Sequence, residues 1–121
     1  MTRVQITATP FSDNMITFDD FQKVDIRVGK IVEIKDAETR KPMYALKVDF
    51  GHLGIKQAIA GIKPYYEKNE LINKKFVFVV NLEPKRIANI LSECMILAAS
   101  IDDKIVLLQP ERDIEVGAKI S

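Results

Sequence analysis

The chain has 121 residues, 47% hydrophobic and 29% charged, which is enough for one domain to bury a core of its own without disulfides. Its 18 basic and 17 acidic residues leave a net charge of +1, so overall charge says nothing about partners and a polyanion must be argued from local clustering. The single cysteine, Cys94, excludes an intrachain disulfide and fits a reducing, cytoplasmic setting.

Residues 1–15 mix Thr, Pro, Ser, Asp and Asn and read as an N-terminal arm, with no continuous apolar centre of the kind a signal peptide needs. Val4, Ile6 and Phe11 are its candidates for docking, for instance on a second subunit. Residues 16–121 read as one domain. Thr17 can cap a short helix, and Asp20 three residues on stands where a capping box has Glu or Gln. Phe18 and Phe21 share one face of that helix and are expected to anchor it as a plug over one end of the body.

Residues 26–34, IRVGKIVEI, read as a strand in which Gly29 marks a bulge or sharp bend. Residues 35–42 form a polar loop carrying Lys35, Arg40 and Lys41. Tyr44, Leu46, Val48 and Phe50 then alternate with Ala45, Lys47 and Asp49, a strand with one face buried. Gly51 and Gly54 bracket a turn, and residues 55–62 form a third strand. In residues 64–73 the spacing of Tyr65 or Tyr66 with Leu71 and Ile72 predicts a short helix. Residues 76–82 make a fourth strand, stopped by Glu83-Pro84 because proline has no N–H for a ladder. Residues 83–93 read as a loop carrying Lys85 and Arg86. A fifth strand follows at 94–99 and a further one at 105–109. Ile114, Val116 and Ile120 are buried candidates in the C-terminal piece. No apolar run approaches the ~20 residues of a membrane-spanning helix, so no membrane partner is expected.

Three short strands, a short helix, then two more strands is the order of the OB-fold, an all-β five-stranded Greek-key barrel. That fold binds oligonucleotides on strands two and three and on the loops joining strands one to two and four to five. Here those loops hold Lys35, Arg40, Lys41, Lys85 and Arg86. Strand two adds Lys47, and strand three adds Lys56 or Gln57. A near-neutral chain is therefore expected to gather positive charge at one mouth of its barrel. Arg40, Lys41, Lys85 and Arg86 would neutralise phosphates, and Asn81 and Ser92 would donate or accept hydrogen bonds in the groove. Tyr44 shares the inward parity of Leu46, so few aromatic rings remain for base stacking, which favours backbone recognition of folded RNA.

Catalysis is not expected. His52 is the only histidine and sits in a turn, no histidine-based metal cluster is possible, and no phosphate- or dinucleotide-binding glycine motif occurs. Cys94 reads as a small buried hydrophobe. No cofactor is implied.

Four stretches, ITFDDFQKVDIRVGKIVEI, QAIAGIKPYY, ELINKKFVFVVNLEPKRIA and SECMILAA, together resemble the tRNA-binding domain family. Its members include the C-terminal domain of methionyl-tRNA synthetase, the EMAP-II-like cytokine precursors and the free-standing CsaA proteins. The resemblance covers roughly residues 16–121. It implies an OB-fold, tRNA binding through shape and backbone, and, as in free-standing members, a homodimer built with the terminal extensions. It also implies two further readings: a CsaA-like export chaperone holding extended peptides in a groove of the dimer, or a separately encoded tRNA-binding (beta) subunit of methionyl-tRNA synthetase. The matching positions are Asn81, Pro84, Lys85, Ser92 and Met95, with Arg86 beside them. Cys94 stands where the family commonly has glycine, and Ala88-Asn89 replace its glycine-containing pair. Loss of a glycine is expected to restrict the approach of a nucleotide backbone.

Overall fold

The computed structural model describes residues 14–121, so the arm positions Val4, Ile6 and Phe11 lie outside the described residues. The strands are β1 (Ile26–Asp36), β2 (Tyr44–Asp49), β3 (Ile55–Ala60), β4 (Lys75–Val79), β5 (Lys85–Ile87), β6 (Ile90–Ser92), β7 (Met95–Ile96), β8 (Ala98–Ile101), β9 (Lys104–Leu107) and β10 (Lys119–Ile120). Two short helices, α1 (Phe18–Gln22) and α2 (Lys68–Leu71), complete the order.

β1 serves two neighbours in turn. Its first half pairs antiparallel with β4, from Ile26 opposite Val79 to Lys30 opposite Lys75. Its second half pairs with β2, from Lys30 opposite Asp49 to Asp36 opposite Tyr44. A strand shared in this way curls the sheet, which runs β3-β2-β1-β4-β7. The result is a nearly closed five-stranded antiparallel barrel, the OB-like architecture that the strand order predicts, with α2 between β3 and β4.

The alternation in β2 holds residue by residue. Tyr44, Leu46 and Val48 are buried and Lys47 is exposed. These side chains meet Ile31, Phe50, Phe78 and Leu71 in the core, where the rings of Phe50 and Phe78 stack edge to face with centroids 5.4 Å apart. The two polar tips in this interior are satisfied. The Tyr44 hydroxyl donates to the Tyr66 carbonyl (2.7 Å), and the Tyr66 hydroxyl accepts from the Leu107 N–H (3.1 Å).

Several boundaries differ from the sequence-based expectations. The bulge in β1 is at Val32, the extra residue between the pairs Ile31–Val48 and Glu33–Lys47, and not at Gly29. Gly29 is required for a different reason. A Cβ there would lie 2.5 Å from Phe50 Cε1 and 2.6 Å from Val48 Cγ1, so hydrogen is the only substituent that lets the core close over the strand. The helix in residues 64–73 shrinks to Lys68–Leu71, with a Glu67/Glu70 capping box at its start. The fourth strand ends at Val79, before Pro84 is reached. Expected strand five divides into β7, which joins the barrel, and β8, which pairs with β9 in a second ribbon that is exposed along β8 and anchored in the core by Leu107.

α1 starts as expected, with the Asp20 N–H donating to Thr17 Oγ1 (3.0 Å), but its phenylalanines do not plug the barrel. Phe18 is 70% and Phe21 36% exposed, because α1 lies beside β10, where the two rings line an open cavity with Ile120. Ile114 is also exposed, while Val116 and Ile120 are half-buried.

Gly29→Ala forces Phe50 or β1 to shift. We expect it to destabilise the fold by about 1–3 kcal/mol, read as a lower urea midpoint at unchanged m-value.

Candidate nucleic-acid interface

The barrel closes along a seam between β3 and the segment Ser92-Glu93-Cys94. No ladder runs there, and local polar contacts do its work. The Glu93 N–H donates to the Gln57 carbonyl (2.8 Å), and the Gln57 N–H donates to Glu93 Oε1 (3.0 Å). Ser92 Oγ accepts from the Ile59 N–H (3.1 Å). The side chains of Ser92 and Glu93 thus satisfy the edge of β3 that a sixth strand would otherwise have to cover. Cys94 points into the core below them, and burial pushes its thiol up to about 12, with the Glu93 carboxylate adding to the effect and Lys56 opposing it. Its side chain packs inward, into the core.

The register of the seam fixes where the next element goes. Moving along β3 from Gln57 to Ile59 means moving back along the chain from Glu93 to Ser92. β6 therefore continues toward Gly61, at the end of β3 that pairs with Tyr44. Residues 83–93, expected as a loop, are mostly a hairpin in which Lys85, Arg86 and Ile87 face Ser92, Leu91 and Ile90. Its turn is Ala88-Asn89, with φ of 52° and 63°. Two left-handed residues are what a two-residue turn of this twist demands, and alanine gives no sequence signal for it.

The β1–β2 loop lies at the same end. It leaves β1 after Asp36, which is opposite Tyr44, and closes with the Ala37 N–H donating to the Met43 carbonyl (3.0 Å). Met43 in turn reaches Gly61, its Cε 3.8 Å from where a Cβ would stand. The two basic connections therefore converge on one rim. Arg40, Lys41, Lys85 and Arg86 are all exposed there, and none makes an ion pair among the described residues. Lys85 and Arg86 alternate on the ribbon, so they point to its opposite faces.

The other candidates divide. Lys47 faces outward but shares the carboxylate of its cross-strand partner Glu33 (3.7 Å) with Lys35 (3.5 Å). Gln57 lies opposite Lys47 on the same face, whereas Lys56 lies opposite buried Val48 and is half-buried. Asn81 has both ends of its amide engaged: Oδ1 accepts from the Asp25 N–H (2.8 Å) and Nδ2 donates to the Lys23 carbonyl (2.6 Å). It fastens the α1–β1 connection. Ser92 is likewise occupied at the seam. Met95 and Leu82 are each 47% exposed. Two cations at this end escaped sequence reasoning, Lys63 and Lys68, both paired with Asp36 (3.0 and 3.4 Å). They follow strand three and open α2, outside the two loops that the fold pattern marks.

The sequence profile described as putative tRNA binding domain matches residues 26–119. The chain belongs to this tRNA-binding domain family. Among related proteins, the methionine–tRNA ligase of Pyrococcus abyssi is 44% identical over 105 residues, which are 87% of this chain and 14% of that enzyme. The chain thus spans about a seventh of the synthetases it matches. Among solved structures, the CsaA chaperone protein from Picrophilus torridus is 50% identical, with a TM-score of 0.82 over 88% of this chain and 100% of that one. The MetRS-related protein from Pyrococcus horikoshii gives 31% identity and a TM-score of 0.82 over 88% and 98%. No helix among the described residues is long and apolar enough to cross a membrane.

Two substitutions test this geometry. Ser92→Ala leaves the half-buried Ile59 N–H without an acceptor and is expected to cost about 1–2 kcal/mol of stability by chemical denaturation. Ala88→Gly removes a left-handed strain of about 1–2 kcal/mol, partly offset by glycine's larger unfolded-state entropy, so the net is a gain of about 0.5–1 kcal/mol by the same measurement.

Proposed function

We propose that the chain binds structured RNA, tRNA in the first place, through its phosphate backbone and shape rather than as an enzyme acting on it. The observation that carries this reading is the set of four cations, Arg40, Lys41, Lys85 and Arg86, without an ion pair among the described residues, on two connections that converge at one rim. Unpaired cations attract a polyanion without first having to break internal ion pairs, and release of its counterions drives binding. Aromatic platforms are scarce beside them, with Tyr44 buried, which suits helical RNA over splayed single strands. The synthetase relatives and the family point to the same ligand. In this reading Asn81 and Ser92 are supports that hold the surface in place, while Lys47, Gln57 and Met95 border it.

The chain is further proposed to act as a homodimer in the cytoplasm. Met15, Ile16, Phe18 and Val24 are exposed, and a cavity of about 220 Å³ lined by Phe18, Phe21, Val24 and Ile120 opens between α1 and β10. Such an apolar strip at the two ends of the domain is what a second copy would cover. On this account residues 16–121 are the binding domain and its C-terminal end the dimerisation extension. Association with methionyl-tRNA synthetase belongs to the same proposal.

A second reading, a chaperone for extended peptides, is favoured by the likeness to CsaA structures and by the exposed side chains of Leu82 and Met95. The two readings respond oppositely to salt. Filter binding of bulk tRNA should show log affinity falling against log salt with a slope of about −3 to −5, for four to six phosphates. Lys85→Glu/Arg86→Glu should lose most of that binding. A flat salt response, or a double variant that binds like the parent, excludes the RNA reading, and peptide binding that persists at high salt then points to the chaperone.

A further inference from the structure

Asp36 ends β1 at the rim where the two basic connections meet, and it holds two ammonium groups at once. Its Oδ1 lies 3.0 Å from Lys63 Nζ and its Oδ2 3.4 Å from Lys68 Nζ. The three side chains are between a third and a little over half exposed, and they line an open cavity of about 540 Å³ with Tyr44, Glu67 and Asn69. Of the neighbouring carboxylates, Glu70 is committed to starting α2, its Oε1 accepting from the Glu67 N–H (2.8 Å), while Glu67 lines the same cavity. The hydrogen bond from Lys63 keeps the Asp36 carboxyl below the usual carboxylate range, so it is an anion at neutral pH.

We propose that Asp36 is the internal counter-ion of the RNA face: it parks Lys63 and Lys68 until a phosphodiester of the incoming RNA takes its place between them. The inference rests on the RNA-binding reading and extends it around the rim, from the two basic connections to the start of α2. The geometry has the required property. A carboxylate bridging two lysines occupies the position in which a phosphate could bridge them, and both ammonium groups remain reachable from water. The free cations Arg40 and Lys41 follow Asp36 within five residues, so a backbone lying across that loop passes over the cluster. Asp36 then acts as a selectivity device. Small anions gain little from displacing it, whereas a polyanion already held at the loops exchanges it for a contact of the same charge.

The test is filter binding of bulk tRNA by the full chain at several salt concentrations, with thermal melting to show that each variant is folded. Asp36→Asn keeps the shape and removes the internal anion. It should bind about two- to tenfold more tightly at low salt, with a steeper salt slope, because the freed lysines now carry counterions to release. Lys63→Ala/Lys68→Ala should bind more weakly, with a slope shallower by about 1–2. If Asp36→Asn and Lys63→Ala/Lys68→Ala both keep the parent's affinity and slope while Lys85→Glu/Arg86→Glu loses binding, the cluster lies off the RNA path. That result overturns the present inference and leaves the RNA reading intact. A parent protein with no salt-dependent tRNA binding overturns both.

Discussion

Closure of the barrel along β3 is the constraint on which the rest depends. β3 has one edge paired with β2, and its other edge would be a row of open N–H and C=O groups. A two-way bond between Gln57 and Glu93 and the acceptor oxygen of Ser92 satisfy that edge over a few residues. Because those contacts are specific to individual residues, they fix register as well as closure. Register in turn decides that the β5–β6 ribbon heads toward Gly61 and so toward the β1–β2 loop. In the proposed RNA reading, the motif Ser-Glu-Cys supports the surface by holding the register that aims the β5–β6 ribbon.

The electrostatics of the rim follow from what each cation finds nearby. Lys47, on a regular strand, shares the carboxylate of its cross-strand partner Glu33. Lysines at element ends find whatever carboxylate terminates a neighbouring element, as Lys63 and Lys68 find Asp36. Arg40, Lys41, Lys85 and Arg86 have no ion-pair partner among the described residues, and neither do Lys30 and Lys56 on strands. The carboxylates within reach, more than the total of positive residues, separate the free charges from the neutralised ones. This explains how a chain of net charge +1 can present a cationic edge.

The architecture was legible because its signals are periodic. Alternation in residues 44–50 and the unbroken apolar run at 76–79 mark buried strands whatever their neighbours. What was not legible depends on partners distant in sequence. Gly29 reads as a bulge, and only the position of Phe50 shows that it is a close approach. The structural contacts of Asn81 and Ser92 could not be read either, because a polar side chain in a loop carries no mark of the backbone it will meet 33 to 58 residues away. The Ala88-Asn89 turn hid a hairpin because its left-handed pair lacks the usual glycine. Phe18 and Phe21 have helical spacing, but spacing cannot tell a face packed on its own domain from one left outward. The clustering of cations could be guessed from the strand order, while the ion pairs that subdue some of them could not.

Cys94 is the chain's one thiol, and it lies immediately beneath the seam. Nature has thereby placed a reporter under the hatch. A reagent that alkylates sulfur reaches a side chain only 4% exposed when the cover over it opens, so the pace of alkylation reports that local opening.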